Sequence, residues 1–240
     1  MQNRYTGDIG DFGKLGLLRR ISRAGLSVGV NWYLTPDETH NGDGRHTAYL
    51  KDCTFRPCDP PLWQALGEIV AANRRQVSAL EAAGLLPAVY YGEPLDFSGL
   101  NAAGRQAFRN QWHSRALERL RGQDILFADP DTGLIVPSAA GKPESRKYVL
   151  PQELADCYRA GSSVIYYQHK ARRDDGFYSA QHRTLLLSGL FPGAEGMVLK
   201  FKTTSQRYYC FFIQPRHADG LRACVKELLS SAWGYHFTLL

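Results

Sequence analysis

The sequence predicts an α/β fold in which a mostly parallel sheet carries helices on both faces. Short apolar runs alternate with helical stretches along most of the 240 residues, and strands separated by helices pair in parallel. Several runs are continuously apolar, as is typical of strands that are covered on both faces. Residues 197–202 and 208–213 read as adjacent strands joined by a short turn, which predicts an antiparallel strand at one edge.

The first elements are a helix, a strand and a polar loop. Residues 11–24 predict a helix, because apolar side chains recur at helical spacing and Asp8 or Asp11 can cap its start. Residues 26–34 predict a buried strand. Residues 35–45 then form a polar loop that contains glycine.

The remaining elements continue the alternation. Amphipathic spacing predicts helices at residues 59–70, 77–83, 101–121, 151–160, 178–187 and 218–230. Apolar runs predict strands at residues 88–92, 124–128, 163–167, 197–202 and 208–213. The sequence has no internal repeat and no clear linker, so we expect one domain over residues 1–240, with a helical insertion at about residues 53–84.

Composition narrows the classes of function. The net charge of +6 suits an anionic partner such as nucleic acid, although many enzymes carry as much charge. No apolar stretch approaches the roughly 20 residues that span a bilayer. Residues 1–5 lack an apolar signal region. We therefore expect a cytoplasmic protein that does not bind membranes.

The turn at residues 39–45, Thr-His-Asn-Gly-Asp-Gly-Arg, is the first candidate site. It follows the first predicted strand, where α/β proteins bind nucleotide-like ligands, and glycine lets backbone N–H groups approach a ligand. An ordinary glycine-rich turn has the same pattern. The segment is neither a G-x-G-x-x-G fingerprint nor a phosphate-binding P-loop.

Acidic residues at the end of an apolar strand form the second candidate. Asp129 and Asp131 would project into the ligand crevice of an open α/β sheet, where they can orient a substrate, act as a base or bind a metal. A plain Asp-Pro turn that stops the strand is the alternative. His169 follows the next strand and is a candidate general base, within a basic segment that either grips phosphates or is a charged surface loop.

The first predicted helix supplies a third group. Asp8 and Asp11 either cap the helix beside a solvated Lys14, or Lys14 pairs with the carboxylate of a ligand. Asp8 and Asp11 can also converge with Asp129 and Asp131 to hold Mg²⁺ or Mn²⁺. That arrangement predicts a metal-dependent nuclease or phosphoesterase.

Four segments together carry a family resemblance. Residues 6–14, Thr-Gly-Asp-Ile-Gly-Asp-Phe-Gly-Lys, precede the first strand, and residues 39–45 follow it. In this order they resemble the A-G-N-x-x-D-x-x-K and T-H-x-G-x-G-R motifs of class I S-adenosylmethionine-dependent methyltransferases. The nearest pattern is that of ribosomal RNA methyltransferases that act on an adenine exocyclic amine. Residues 90–95 resemble that family's tyrosine-proline-glycine-serine-proline turn, and residues 125–130 lie where it has aspartate-proline-proline-tyrosine.

The resemblance implies a Rossmann-like methyltransferase-type sheet and S-adenosylmethionine as the cofactor. Lys14 and His40 would then contact the methionine end of the cofactor. Gly42 and Gly44 would let the backbone approach it, and Glu93 would lie on its ribose or adenine side.

The resemblance also implies methyl transfer to a nucleic acid or nucleotide. Asp129 would bind the group that is methylated. The motif here reads Asp-Pro-Asp-Thr, so that Asp131 places a second carboxylate beside the first and can deprotonate the acceptor. A non-catalytic ligand-binding module on the same fold is a further alternative.

Overall fold

The computed structural model describes residues 1–38, 44, 46–203 and 205–240. The predicted cofactor contacts His40 and Gly42 lie outside these residues. Strands in the described parts are β1 (Val28–Asn31), β2 (Ala88–Tyr91), β3 (Ile125–Ala128), β4 (Gly133–Leu134), β5 (Tyr148–Val149), β6 (Ser163–His169), β7 (Glu195–Phe201), β8 (Arg207–Ile213) and β9 (Phe237–Leu239). The α-helices are α1 (Ile9–Arg23), α2 (Pro60–Ala71), α3 (Val77–Ala82), α4 (Ala102–Arg119), α5 (Pro151–Arg159), α6 (Asp175–Leu186) and α7 (Ala218–Ser230).

A seven-stranded, mostly parallel sheet forms the centre of the molecule, in the order β2-β1-β3-β6-β8-β7-β9. β1 pairs in parallel with β2 and β3, and β3 pairs in parallel with β6. β8 is antiparallel to both of its neighbours, and β9 runs antiparallel to β7 at the edge. The α/β class with a mostly parallel sheet is thus confirmed. The reversed strand of the predicted pair, β8, lies inside the sheet, and the antiparallel edge is formed by the unpredicted β9.

Helices cover both faces of this sheet, as predicted. One core cluster joins α1, α2, α3 and α7 to the sheet through residues such as Phe12, Leu66, Val30 and Leu228. A second cluster joins α4, α5 and α6 to the other face. The predicted insertion at residues 53–84 carries α2 and α3, which pack in the first cluster. No helix among the described residues combines the length and apolarity needed to cross a membrane.

Three element boundaries differ from prediction at the candidate site, and one of them is the start of β8 at Arg207, one residue earlier than predicted. α1 begins at Ile9, because the Asp8 carboxylate caps it by accepting hydrogen bonds from Gly10 N and Asp11 N. β6 extends two residues beyond the predicted strand, through Gln168 and His169, because both residues continue the ladder with β8.

The strand order creates a switch point between β1 and β3. α2 and α3 connect β1 to β2 on one face, whereas α4 leads from β2 across to β3 on the other face. Connections that leave neighbouring strands in opposite directions open a crevice outside the carboxyl ends of those strands. The fold therefore offers a ligand-binding position at the ends of β1 and β3.

Candidate functional site

A cleft with a volume of about 460 Å³ opens at this position. Its walls come from the start of α1, the turn after β3, the end of β6 and the start of β8. It gathers six of the side chains that the sequence singled out: Asp8, Asp11, Lys14, Asp129, Asp131 and His169. The structure thus brings together residues that are up to 161 positions apart in the chain.

Lys14 lies at the inner end of the cleft and is buried. Its ammonium nitrogen is 2.5 Å from Asp129 Oδ2 and 2.8 Å from Asp11 Oδ1. The other Asp11 oxygen accepts a hydrogen bond from Gly7 N at 2.8 Å. The ammonium also lies 5.1 Å from the centre of the Trp32 ring. Lys14 is therefore not solvated, and its charge is already balanced by two carboxylates.

The charges in this cluster shift one another's pKa values. Burial lowers the pKa of Lys14, but the attraction of Asp11 and Asp129 outweighs burial and holds that pKa above its ordinary value. Burial raises the pKa of Asp129, and Lys14 opposes the rise without cancelling it. Lys14 therefore keeps its proton, and its charge is what favours an ionised Asp129 in so buried a position.

The turn after β3 positions the two predicted acids differently. The backbone N–H of Asp129 donates to the Asn31 carbonyl at 2.9 Å, which ties the turn to the end of β1. Asp131 is more exposed than Asp129, and Gln2 Nε2 donates to its carboxylate at 2.7 Å. Asp129 therefore faces Lys14 at the inner end, whereas Asp131 lies nearer the opening.

The end of β6 fixes the same turn from the other side. His169 N donates to the Thr132 carbonyl at 2.9 Å, and Gln168 Oε1 accepts from Leu134 N at 2.9 Å. Gly133 has a φ of +130°, and a Cβ there would overlap the Gln168 amide. The His169 ring lies 3.4 Å from the Tyr167 hydroxyl. The packing of Gly133 against β6 thus holds His169 and Asp131 on the same side of the cleft.

The two remaining cofactor-binding predictions that fall on described residues have different outcomes. Gly44 lines the cleft and has a φ of +85°, and a Cβ there would lie 2.5 Å from the Arg4 carbonyl oxygen, so the position requires glycine. Glu93 is not among the described residues that line the cleft. Its carboxylate accepts hydrogen bonds from the Tyr91 hydroxyl at 3.1 Å and from Arg115 Nε at 2.7 Å, towards α4.

The alternative metal site meets an obstacle in this geometry. Asp8, Asp11, Asp129 and Asp131 do converge on the cleft. The Lys14 ammonium, however, occupies the space between Asp11 and Asp129, where a shared cation would have to lie. In the described part of the chain, no group of three or more histidine, cysteine, aspartate or glutamate side chains is arranged to hold a metal ion.

Neither Arg207 nor Tyr167 was singled out from the sequence as a site residue. Both line the cleft, and Arg207 is only 4% exposed. Arg207 begins β8 and pairs with His169 in the ladder. A strand that runs antiparallel to its neighbour begins at the edge of the sheet where that neighbour ends. The predicted start of an antiparallel strand near residue 208 was therefore the sequence signal that could have led to Arg207.

The opposite edge of the sheet carries a serine–histidine–aspartate contact. Ser163 Oγ lies 2.9 Å from His217 Nδ1, and His217 Nε2 lies 3.4 Å from Asp124. Ser163 is completely buried, and its hydroxyl also accepts from Gln214 N at 2.8 Å. A nucleophile must reach its substrate, so this cluster stabilises the end of the sheet rather than attacking a ligand.

The cleft is acidic although the chain as a whole is basic. Its described walls carry five carboxylates and three side chains with a permanent positive charge, besides the amino group of Met1, whose pKa burial lowers, whereas the chain has a net charge of +6. The carboxylates belong to Asp8, Asp11, Glu38, Asp129 and Asp131, and the cations are Lys14, Lys147 and Arg207. Such a surplus of negative charge favours a ligand with positive charge.

No protein-family model matches this chain, and no curated protein matches its sequence.

Proposed function

We propose that this protein transfers a methyl group from S-adenosylmethionine to a nucleic acid or nucleotide. The observation that carries the proposal is the acidic cleft at the switch point of the sheet of a basic protein. Rossmann-like sheets bind nucleotide-like ligands at that point. The motif resemblance of residues 6–14 and 39–45 supports the same class of ligand.

The chemistry of the cleft fits the cofactor. S-adenosylmethionine carries a sulfonium, an ammonium and a carboxylate, and therefore a net positive charge at neutral pH. Carboxylates around the cleft suit the two cationic groups, and the buried arginine suits the carboxylate. The volume of about 460 Å³ lies within the range of small-molecule sites.

The residues of the cleft would have distinct roles in the reaction. The bound cofactor would supply an electrophilic methyl group. Asp129 would accept a hydrogen bond from the acceptor and orient it, since positioning is a large part of catalysis by such a site. Lys14 would keep Asp129 ionised and in place. Asp131, nearer the opening, would take the proton that the acceptor releases.

The charge distribution favours a neutral acceptor group within a larger anionic molecule. The carboxylates at the inner end of the cleft would repel a phosphate, whereas an uncharged base that is turned out of its stack can enter there. Phosphates would lie away from these carboxylates, where the positive charges of the protein attract them.

A transfer assay tests this proposal. Labelled S-adenosylmethionine is incubated with RNA, DNA and nucleotide acceptors, and incorporation of label is measured for the wild type, Asp129→Asn and Asp219→Asn. Asp219 is almost fully exposed on α7 and serves as the matched control. We expect Asp129→Asn to slow transfer at least ~100-fold and the control to match the wild type. Absence of transfer to every acceptor would contradict the proposal.

The alternatives predict other results in the same experiments. Cleavage of nucleotides that requires Mg²⁺ or Mn²⁺ and is lost in Asp129→Asn and Asp131→Asn would establish the hydrolase instead. Binding of S-adenosylmethionine without transfer would favour a non-catalytic binding module.

A further inference from the structure

Arg207 differs from the other two permanent cations of the cleft. Lys14 is held between two carboxylates, and the Lys147 ammonium is paired with Glu38. The nearest carboxylate to Arg207 is Asp8, at 3.8 Å from Nη2, which is beyond hydrogen-bond distance. Arg207 is thus the buried cation whose charge is least balanced by the described residues.

Asp8 is also held away from Arg207 by its role at the start of α1. Its Oδ1 accepts from Gly10 N at 2.7 Å and from Asp11 N at 3.2 Å. Moving closer to the guanidinium would break the cap that begins the helix. The structure therefore keeps the gap between Asp8 and Arg207.

The guanidinium is fixed by neutral partners. Arg207 Nη1 donates to the Ser205 carbonyl at 2.7 Å and to Thr203 Oγ1 at 3.3 Å, and the guanidinium also hydrogen-bonds to the Tyr167 side chain. The Nε and Nη2 edge lies over the first turn of α1, where a Cβ on Gly10 would come within 2.9 and 3.0 Å of these two atoms. The absence of a side chain at Gly10 leaves room beside this edge and beside the capping Asp8 Oδ1.

From this geometry we infer that Arg207 binds an oxyanion of the ligand, either the carboxylate of the cofactor or a phosphate of the acceptor. The inference rests on the proposed function only for the identity of the ligand. A rigid guanidinium edge matches the two oxygens of a carboxylate or phosphate, and burial strengthens such a charged contact. The inference assigns the anionic end of the ligand to β8. The resemblance instead implied that Lys14 contacts the methionine end of the cofactor.

Paired ligands test this assignment. Calorimetric titrations compare S-adenosylmethionine with decarboxylated S-adenosylmethionine, which lacks only the carboxylate, and with inorganic phosphate. If the cofactor supplies the oxyanion, Arg207→Gln weakens binding of S-adenosylmethionine at least ~10-fold and changes the decarboxylated form by less than about twofold. If the acceptor supplies it, both forms bind unchanged, and phosphate binds the wild type but not the variant.

A second variant guards against misfolding of Arg207→Gln. Gly10→Ala pushes a methyl group against the guanidinium, and equally against the capping Asp8 Oδ1, while every charge remains, so it should reproduce the same selective loss if α1 stays folded, which circular dichroism checks. Gly220→Ala is the matched control, because it also lies in the first turn of a helix and a Cβ there meets no atom within 4 Å.

Several outcomes would overturn the inference. One is an equal loss of affinity for both forms of the cofactor in the variants. Another is unchanged affinity for both forms, together with phosphate binding that the variants do not change. If the wild type binds neither form of the cofactor, the proposed function fails by itself. The phosphate titration then decides alone: binding that is lost in Arg207→Gln supports the oxyanion site, and absent or unchanged binding contradicts it.

Discussion

Two buried ion-pair clusters in this molecule have similar chemistry but different surroundings. Between α4 and α5, Arg109 donates to both oxygens of Glu153 at 2.6 and 2.8 Å and to the carbonyls of Ser145 and Tyr148. Glu153 also accepts from the Tyr33 hydroxyl and from the backbone of Leu150. Every strong contact of that pair is made within the protein, and neither residue lines the cleft in the described structure.

The cluster of Lys14, Asp11 and Asp129 borders the cleft instead. Burial and pairing alone therefore do not identify a functional charge, because both clusters have them. What separates them is the cavity beside Asp129, which gives a ligand access to a charged group that the protein has placed and desolvated. We expect changes at Arg109 to act on stability, and changes at Lys14 to act on ligand binding and on pH dependence.

The largest effect is expected at the enclosed pair. Arg109→Met leaves Glu153 buried without its partner and should lower the free energy of unfolding by about 3–5 kcal/mol. Denaturant unfolding monitored by circular dichroism measures it. The double variant Arg109→Met with Glu153→Leu should recover much of the loss, because no unpaired charge remains. A single variant as stable as the wild type would break the distinction between the clusters.

A smaller loss with a different pH dependence is expected at Lys14. Lys14→Met should lower the free energy of unfolding by about 2 kcal/mol at neutral pH, since one of the freed acids can take up a proton beside the cleft. The raised pKa of Asp129 means that the folded protein binds its proton more tightly than the unfolded chain. Its contribution to stability therefore falls as the pH rises from the ordinary value of 3.8 towards the folded pKa.

Removal of Lys14 takes away the attraction that holds down the pKa of Asp129, so this pKa should rise further. The pH range over which stability falls should therefore extend to higher pH. Lys14→Met should therefore regain stability relative to the wild type when the pH is lowered from 8 to about 5. Unfolding curves at a series of pH values provide the test. Profiles of equal shape for both proteins would show that Lys14 does not set the ionisation of Asp129.

The sequence predicted most of the elements but not how the last strands are ordered. Hydrophobic spacing identified α7 and the core strands, because burial imposes a local period on the chain. Whether β8 lies inside the sheet or at its edge depends on contacts between distant segments, which leave no local period. β9 was missed because three residues are too short for a recognisable alternation.

The site was predictable to a similar extent. Asp129, Asp131 and His169 were singled out because the carboxyl ends of parallel strands share one edge. Lys14 was singled out from the first helix and from the motif resemblance. The contact between Lys14 and Asp129 spans 115 residues, and only the tertiary structure brings the two charges together. Arg207 was missed because nothing local distinguishes an arginine that begins a strand, until the reversed direction of β8 is known.

The turn that carries Asp131 offers a smaller and more local test. Gly133→Ala and Gly141→Ala both place alanine at a positive φ, which should lower the free energy of unfolding by about 1–2 kcal/mol in each, and Gly133→Ala should lose more because its Cβ also overlaps Gln168. Only the Gly133 side chain would displace Gln168, and with it the turn. Methyl transfer should therefore fall in Gly133→Ala and persist in Gly141→Ala. Equal activity of the two variants would show that this packing does not position the acids.

The smallest expected effect concerns the charge of the ligand. S-adenosylhomocysteine lacks the sulfonium charge, so the acidic cleft should bind S-adenosylmethionine about 3–10-fold more tightly. The preference should shrink as salt concentration rises. Calorimetric titrations with both ligands at two salt concentrations measure it, and a preference for S-adenosylhomocysteine would contradict the electrostatic argument.

The most direct test of the central claim is a calorimetric titration of the wild-type protein with S-adenosylmethionine in metal-free buffer. We predict one cofactor per chain, bound in the cleft, with a dissociation constant of the order of micromolar or tighter. No binding heat with S-adenosylmethionine or with S-adenosylhomocysteine would contradict the account.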